Sequence, residues 1–118
     1  MNDEAGGSGR VIAISSDSMG RGDEELGRVL MKSYLHTLTG VAPRPEVVVF
    51  FNTGVRLACE GSAAAEDLDD LAGLGVRLLL CGTCVNAFGL EERIAVGEVS
   101  NMYTISQTML RADSVINI

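Results

Sequence analysis

Residues 79–85 read Leu-Leu-Cys-Gly-Thr-Cys-Val, and the rest of the chain is best understood outward from them. An apolar run over 76–80 ends in Cys81-x-x-Cys84. Such a run reads as a buried strand, and Gly82 and Thr83 then open a helix. This predicts Cys84 in the first turn of that helix, at the carboxyl end of the strand. Unpaired backbone N–H groups and the helix dipole favour negative charge there. The expectation is therefore a Cys84 thiol of lowered pKa, accessible and nucleophilic, because the thiolate is the reactive form. Cys81 is its close neighbour. A strand-end cysteine that merely packs is the competing reading for Cys81, since unpaired cysteine is among the most buried residue types.

Working outward, short apolar runs alternate with helical patterns, the signature of βαβ units and a parallel sheet. Strands are expected over 10–14, 47–51, 76–81, 95–99 and 114–118. The run 47–51 is apolar without alternation, as a central strand covered on both faces should be. Asp23 is the expected N-cap of the first long helix, with Glu24 and Glu25 well placed in its first turn. Leu26, Val29, Leu30, Tyr34 and Leu38 recur at helical spacing and mark its apolar stripe, and Gly40 ends it. Ser62 is placed to cap a second helix with Leu68 and Leu71 inward, and Gly75 to stop it. A short helix after the cysteines stops near Gly89. Ser100 is expected to cap a last helix bearing Met102, Ile105 and Met109. The fold class is thus α/β, a three-layer α/β/α sandwich around a mostly parallel sheet of about five strands. Right-handed crossovers bring all strand carboxyl ends to one edge. The loops 15–22, 52–61 and 81–84 should therefore meet.

Composition bounds the function. The 118 residues suffice for one domain with a core, and 47% are hydrophobic. Residues 1–9 are Gly/Ser-rich and read as a flexible lead, with one domain over 10–118. No apolar run nears the ~20 residues of a membrane span, and no signal core opens the chain. With three cysteines, the expectation is a cytoplasmic protein in a reducing compartment, where a Cys pair is reactive or metal-binding rather than a structural disulfide. Nine basic against 16 acidic residues give a formal charge of −7. Nucleic acid and anionic membranes are poor partners for that surface.

Other motifs have plainer roles. Three Cys and one His fall short of a usual zinc set, because His36 lies mid-helix away from the strand-end loops. It reads as a solvated helix residue, and no metal is expected. Gly20-Arg21-Gly22 follows a strand, but the third glycine of a dinucleotide fingerprint would fall on Glu25, and three acids would face the pyrophosphate. No cofactor is expected. Ser15, Ser16, Ser18 and Asn52, polar groups at strand ends, either satisfy loop backbone or donate to a sulfur anion at Cys84. Arg21 and Arg56 are candidate charges near that edge or solvated surface groups. Cys59 lies near the same edge or simply packs. Glu66, Asp67, Asp69 and Asp70 read as a solvated helix face.

The stretches Ser16-Asp17-Ser18-Met19-Gly20-Arg21-Gly22-Asp23-Glu24-Glu25-Leu26-Gly27, Phe51-Asn52-Thr53-Gly54-Val55, Cys81-Gly82-Thr83-Cys84 and Gly97-Glu98-Val99-Ser100-Asn101-Met102-Tyr103 together resemble the YedF family. Its members are described as sulfurtransferase-like and linked to selenium metabolism, and this part of them is similar to the DsrE family of sulfur-relay subunits. The resemblance implies a DsrE-like fold and a homo-oligomer, trimer or hexamer. It also implies an active cysteine that carries a persulfide at the helix opening after a central strand. Cys84 best matches that position. YedF proteins usually carry a TusA-like domain before this one, which residues 1–9 cannot hold. The resemblance thus implies either a piece of a longer protein or a TusA-like partner on another chain.

Three functions follow as expectations. In the first, Cys84 accepts sulfur or selenium from a donor protein and passes it to an acceptor, with Cys81 able to release the cargo by forming a disulfide. Whether such a chain is a sulfurtransferase or a carrier stays open. The second is a thiol–disulfide protein using Cys81 and Cys84 as a pair. The third is a non-catalytic oligomeric assembly subunit.

Overall fold

The computed structural model describes residues 9–118. The expected flexible lead lies outside them apart from Gly9. Five strands are present: β1 (Arg10–Ile14), β2 (Val47–Phe50), β3 (Arg77–Cys81), β4 (Glu98–Ser100) and β5 (Ser114–Asn117). They form one sheet in the order β4-β3-β2-β1-β5, and every pairing is parallel. The helices are α1 (Glu24–Leu38), α2 (Ala65–Gly73), α3 (Gly82–Ala87) and α4 (Met102–Arg111), with a 3-10 turn over Asn52–Ala58.

The side-chain period of two splits the core into two layers. Ile12, Ile14, Val48, Phe50, Leu78 and Leu80 face one way and pack with Met31, Leu35 and Leu38 of α1 and Leu68 and Leu71 of α2. Val11, Ala13, Val47, Val49, Leu79 and Cys81 face the other way, onto Ile105 of α4. This is the expected three-layer arrangement. The three central strands β1, β2 and β3 are apolar on both faces because both faces are covered.

Local signals at the helix ends hold in part. Asp23 caps α1, its carboxylate accepting from Leu26 N–H at 2.9 Å. Gly75, at φ +98°, turns the chain after α2. Ser62 Oγ accepts from Ala64 N–H at 3.1 Å, one position before α2 begins.

Four expectations are corrected. The inward face of α1 is Gly27, Met31, Leu35 and Leu38, while Leu26, Val29 and Leu30 are exposed. The loop before α1 folds back over Gly27, Met19 N–H donating to Gly27 O at 2.9 Å, and this sets the rotation of the helix. The fourth strand is 98–100 rather than 95–99. The N–H groups of Ala95 and Val96 turn instead to Ala58 O, so they never join β3. The cap of α4 is Asn101, not Ser100, its side chain accepting from Thr104 N–H at 2.8 Å. Finally, Asp67 does not belong to a solvated face. It is buried and binds Lys32 Nζ at 2.8 Å and His36 Nδ1 at 2.9 Å. His36 keeps most of its ring in solvent, as expected, but is anchored by that bond.

Candidate functional site

The carboxyl edge of the sheet gathers the loops that follow β1, β2 and β3. Asp17 N–H donates to Thr53 Oγ1 at 3.3 Å, and Phe51 N–H to Ile14 O at 2.9 Å. Gly54 presses on the end of β1, where a Cβ would stand 2.6 Å from Ile14 O. On the other side Gly82 lies under Ser100, where a Cβ would stand 2.7 Å from the Ser100 carbonyl oxygen. These two glycines let neighbouring backbones close on each other. Gly54 seats the turn after β2 on the end of β1, and Gly82 seats the start of α3 against the end of β4.

Cys84 occupies the first turn of α3, as the sequence leads one to expect, and is half-buried. It packs against both core layers at once, which places it at the rim where they meet. Its Sγ accepts a hydrogen bond from the backbone N–H of Asn52 at 3.0 Å. Asn52 has φ +50°, and among the described residues it is the one non-glycine in the left-handed region. Asparagine tolerates that region better than most residues. The conformation aims the N–H out of the end of β2 and at the sulfur.

The lowered pKa expected for Cys84 is overturned. Burial pushes the thiol above its ordinary value. The Asn52 N–H pulls the other way, while hydrogen bonding and charge interaction with Cys81 push it up again. Two sulfurs that close cannot both ionise cheaply. The single Asn52 N–H does not outweigh those effects. Cys81 ends β3 and is 1% exposed, facing the α4 layer, and both cysteines are unbridged.

The remaining candidates divide. Thr83 is exposed beside Cys84. Ser15 reaches away to the last residue, Oγ to Ile118 O at 3.5 Å. Ser16 and Ser18 serve the loop backbone: Ser16 Oγ accepts from Ser18 N–H, and Ser18 Oγ donates to Glu24 O, both at 3.0 Å. Arg21 is exposed in the same loop. Cys59 is buried, its Sγ donating to Val55 O at 3.7 Å, and burial raises its pKa. It is a packing residue, joined to Ile94 by a bridge. Arg56 lies with its guanidinium 4.5 Å from the centre of the Phe88 ring. Sequence reasoning missed Thr53 and Gly54 as the pieces that clamp the β1 and β2 loops together. The signal available was Asn52-Thr53-Gly54 set directly after an apolar strand. Among the described residues no three or more His, Cys, Asp or Glu side chains are placed to hold a metal ion. No described helix is long and apolar enough to cross a membrane.

Residues 10–118 match the DsrE/DsrF-like family. Among solved structures, the chain is similar to the YchN protein of E. coli, at 19% identity with TM-score 0.68, covering 92% of this chain and 99% of that one. A protein of unknown function from Methanobacterium thermoautotrophicum, MTH1491, superposes at TM-score 0.67 and 22% identity, over 92% and 97% of the two chains. BT1422 from Bacteroides thetaiotaomicron, also of unknown function, gives 0.66 at 11% identity over 92% and 94%. At such identities the likeness concerns the fold. No curated protein matches the sequence.

Proposed function

The chain belongs to the DsrE/DsrF-like family, and on that premise we propose that it is a sulfur-relay protein whose cargo rides on Cys84. The observation that carries this reading is the Cys84 sulfur at the strand-end rim, half-buried and held by the Asn52 N–H at 3.0 Å. In loading, the Cys84 thiolate attacks the outer sulfur of a donor persulfide. The new S–S bond leaves Cys84 as the persulfide, and the donor departs as its thiolate. A raised pKa lowers the thiolate fraction, but a more basic thiolate is a better nucleophile, so a tenfold loss of thiolate is offset about threefold. Docking of a donor would further set the rate by positioning its sulfur.

The YedF-like motifs support a finer reading in which the cargo is sulfur or selenium and a TusA-like protein is donor or acceptor. The same premise supports a homo-oligomer, trimer or hexamer. The test is mass spectrometry after incubation with a persulfide donor. One added sulfur on Cys84, absent from Cys84→Ser, is expected. A folded protein with no adduct on Cys84 would sink the reading.

A second reading, thiol–disulfide exchange, draws on the interaction between Cys81 and Cys84. Cys81→Ser separates the two. It should abolish a disulfide in equilibrium with glutathione while leaving sulfur loading on Cys84 intact.

A further inference from the structure

A cleft of about 210 Å³ opens between α1, the 3-10 turn and the lead into α2. Arg28, Lys32 and Arg56 line it, with Asp17 the acidic side chain among the lining residues. That is three of the nine basic residues in a chain of formal charge −7. Their charges are not equally committed. Lys32 Nζ is held by Asp67 at 2.8 Å. Arg28 comes no nearer to Glu24 than 3.6 Å, with both side chains largely in solvent. Arg56 has no carboxylate within ion-pair distance among the described residues, and the face of its guanidinium lies on the Phe88 ring. Ala64, the cap position of α2, lines the same cleft and supplies no side-chain oxygen to the helix start.

We propose that this cleft binds a small tetrahedral oxyanion, held by Arg28 and Arg56 with Lys32 behind them. Guanidinium groups present paired donors to such oxygens, and charge-assisted hydrogen bonds are about twice as strong as neutral ones. The volume falls below the ~300 Å³ at which drug-sized ligand pockets begin, which favours a free oxyanion over a nucleotide. Asp17 adds one opposing charge, which disfavours polyanions further. The cleft is tied to the cysteine site through one element. The 3-10 turn begins at Asn52, whose N–H meets Cys84, and carries Arg56 four residues on. Sulfate, phosphate and thiosulfate share this chemistry and form the arms of the test.

The experiment is isothermal titration of the full chain with each sodium salt, ionic strength held constant with chloride. Saturable binding of at least one oxyanion is expected. Arg28→Gln with Arg56→Gln should weaken it at least about tenfold, the scale of one charge-assisted hydrogen bond. Arg56→Lys should lose less than Arg56→Gln, and Arg93→Gln, outside the cleft, should lose nothing. Each variant is first shown folded by circular dichroism, and the single variants stand in if the double one unfolds. No saturable binding, or equal binding by the Arg28 and Arg56 variants, overturns the proposal. The titration requires no sulfur loading, so its failure leaves the relay reading standing.

Discussion

At the residue scale the chemistry turns on what surrounds one sulfur. Cys84 sits where a helix start should ionise it, yet burial and the Cys81 sulfur hold the proton on. The rate of alkylation of Cys84 against pH should therefore have its midpoint above the ~8.5 of an unperturbed thiol. A midpoint below that value would restore the dipole-dominated reading. Asn52 works against the trend, because its N–H stabilises the thiolate and so lowers the pKa. Asn52→Gly keeps a backbone suited to φ +50° and should leave the profile unchanged. Asn52→Val forces a β-branched residue into the left-handed region, at about 1–3 kcal/mol of strain. The N–H then moves off the sulfur, and the midpoint should rise further. Of the two neighbours of this sulfur, Cys81 was legible in the Cys-x-x-Cys spacing and the Asn52 N–H was not. The Asn52 bond spans 32 positions, and the end of β3 is set by Gly82 lying beneath Ser100. The same close approach makes Gly82→Ala costly. Its new Cβ would lie 2.7 Å from a backbone oxygen that cannot rotate away. A loss of roughly 1–3 kcal/mol in a denaturant titration is expected.

At the element scale, α1 and α2 are clamped through Asp67. Burial pushes its carboxyl upward, but hydrogen bonds from Lys32 and His36 outweigh that and bring it below its ordinary value of 3.8. The sign follows from linkage. A depressed folded-state pKa contributes stability that is complete above 3.8 and is lost as pH falls through the lower, folded value. Because the Lys32 side chain is about half in solvent and His36 mostly so, screening keeps the contribution modest. Asp67→Asn should cost about 1–2 kcal/mol near neutral pH and flatten the acid limb of stability. Urea titrations between pH 2 and pH 7 would show both effects, and parallel acid limbs for the two proteins would refute the assignment. Elements whose cues are local were legible in sequence: Asp23 before Glu24-Glu25 marks the start of α1, and the apolar runs 11–14, 47–50 and 78–80 mark β1, β2 and β3. The phase of α1 was not. Leu26, Val29 and Leu30 are as apolar as Met31 and Leu35, and only the Ser18–Met19 loop lying against Gly27 decides between them. For β4, Ala95 and Val96 have strand character, but Ala58 O captures their N–H groups first.

For the whole molecule, the two sides of the sheet are covered unequally. One layer has α1, α2 and α3 over it; the other has α4, which buries Ile105 alone. The outward side of α4 carries two large apolar residues beside the exposed Gln107. Tyr103 is 83% exposed and Leu110 86%, seven residues apart and so on one face, with Met102 half-exposed beside them. Large apolar side chains on the outward side of a helix gain by being covered. On the same side of the sheet, Val115 of the edge strand β5 is exposed as well, while Val99 and Ile116 pair with Leu80 and Ile12 and so face the α1 layer. Exposed apolar residues gathered this way mark an interaction surface. The homo-oligomer proposed above would use α4 as its seam. Light scattering on the eluting protein should give a multiple of the 12.4 kDa chain. Tyr103→Glu with Leu110→Glu should reduce it to monomer with the fold intact, since neither side chain contributes to the core. A wild-type monomer at micromolar concentration would remove the seam. The monomeric variant would then show whether Cys84 loads with sulfur in one chain or needs a neighbour's surface to do so.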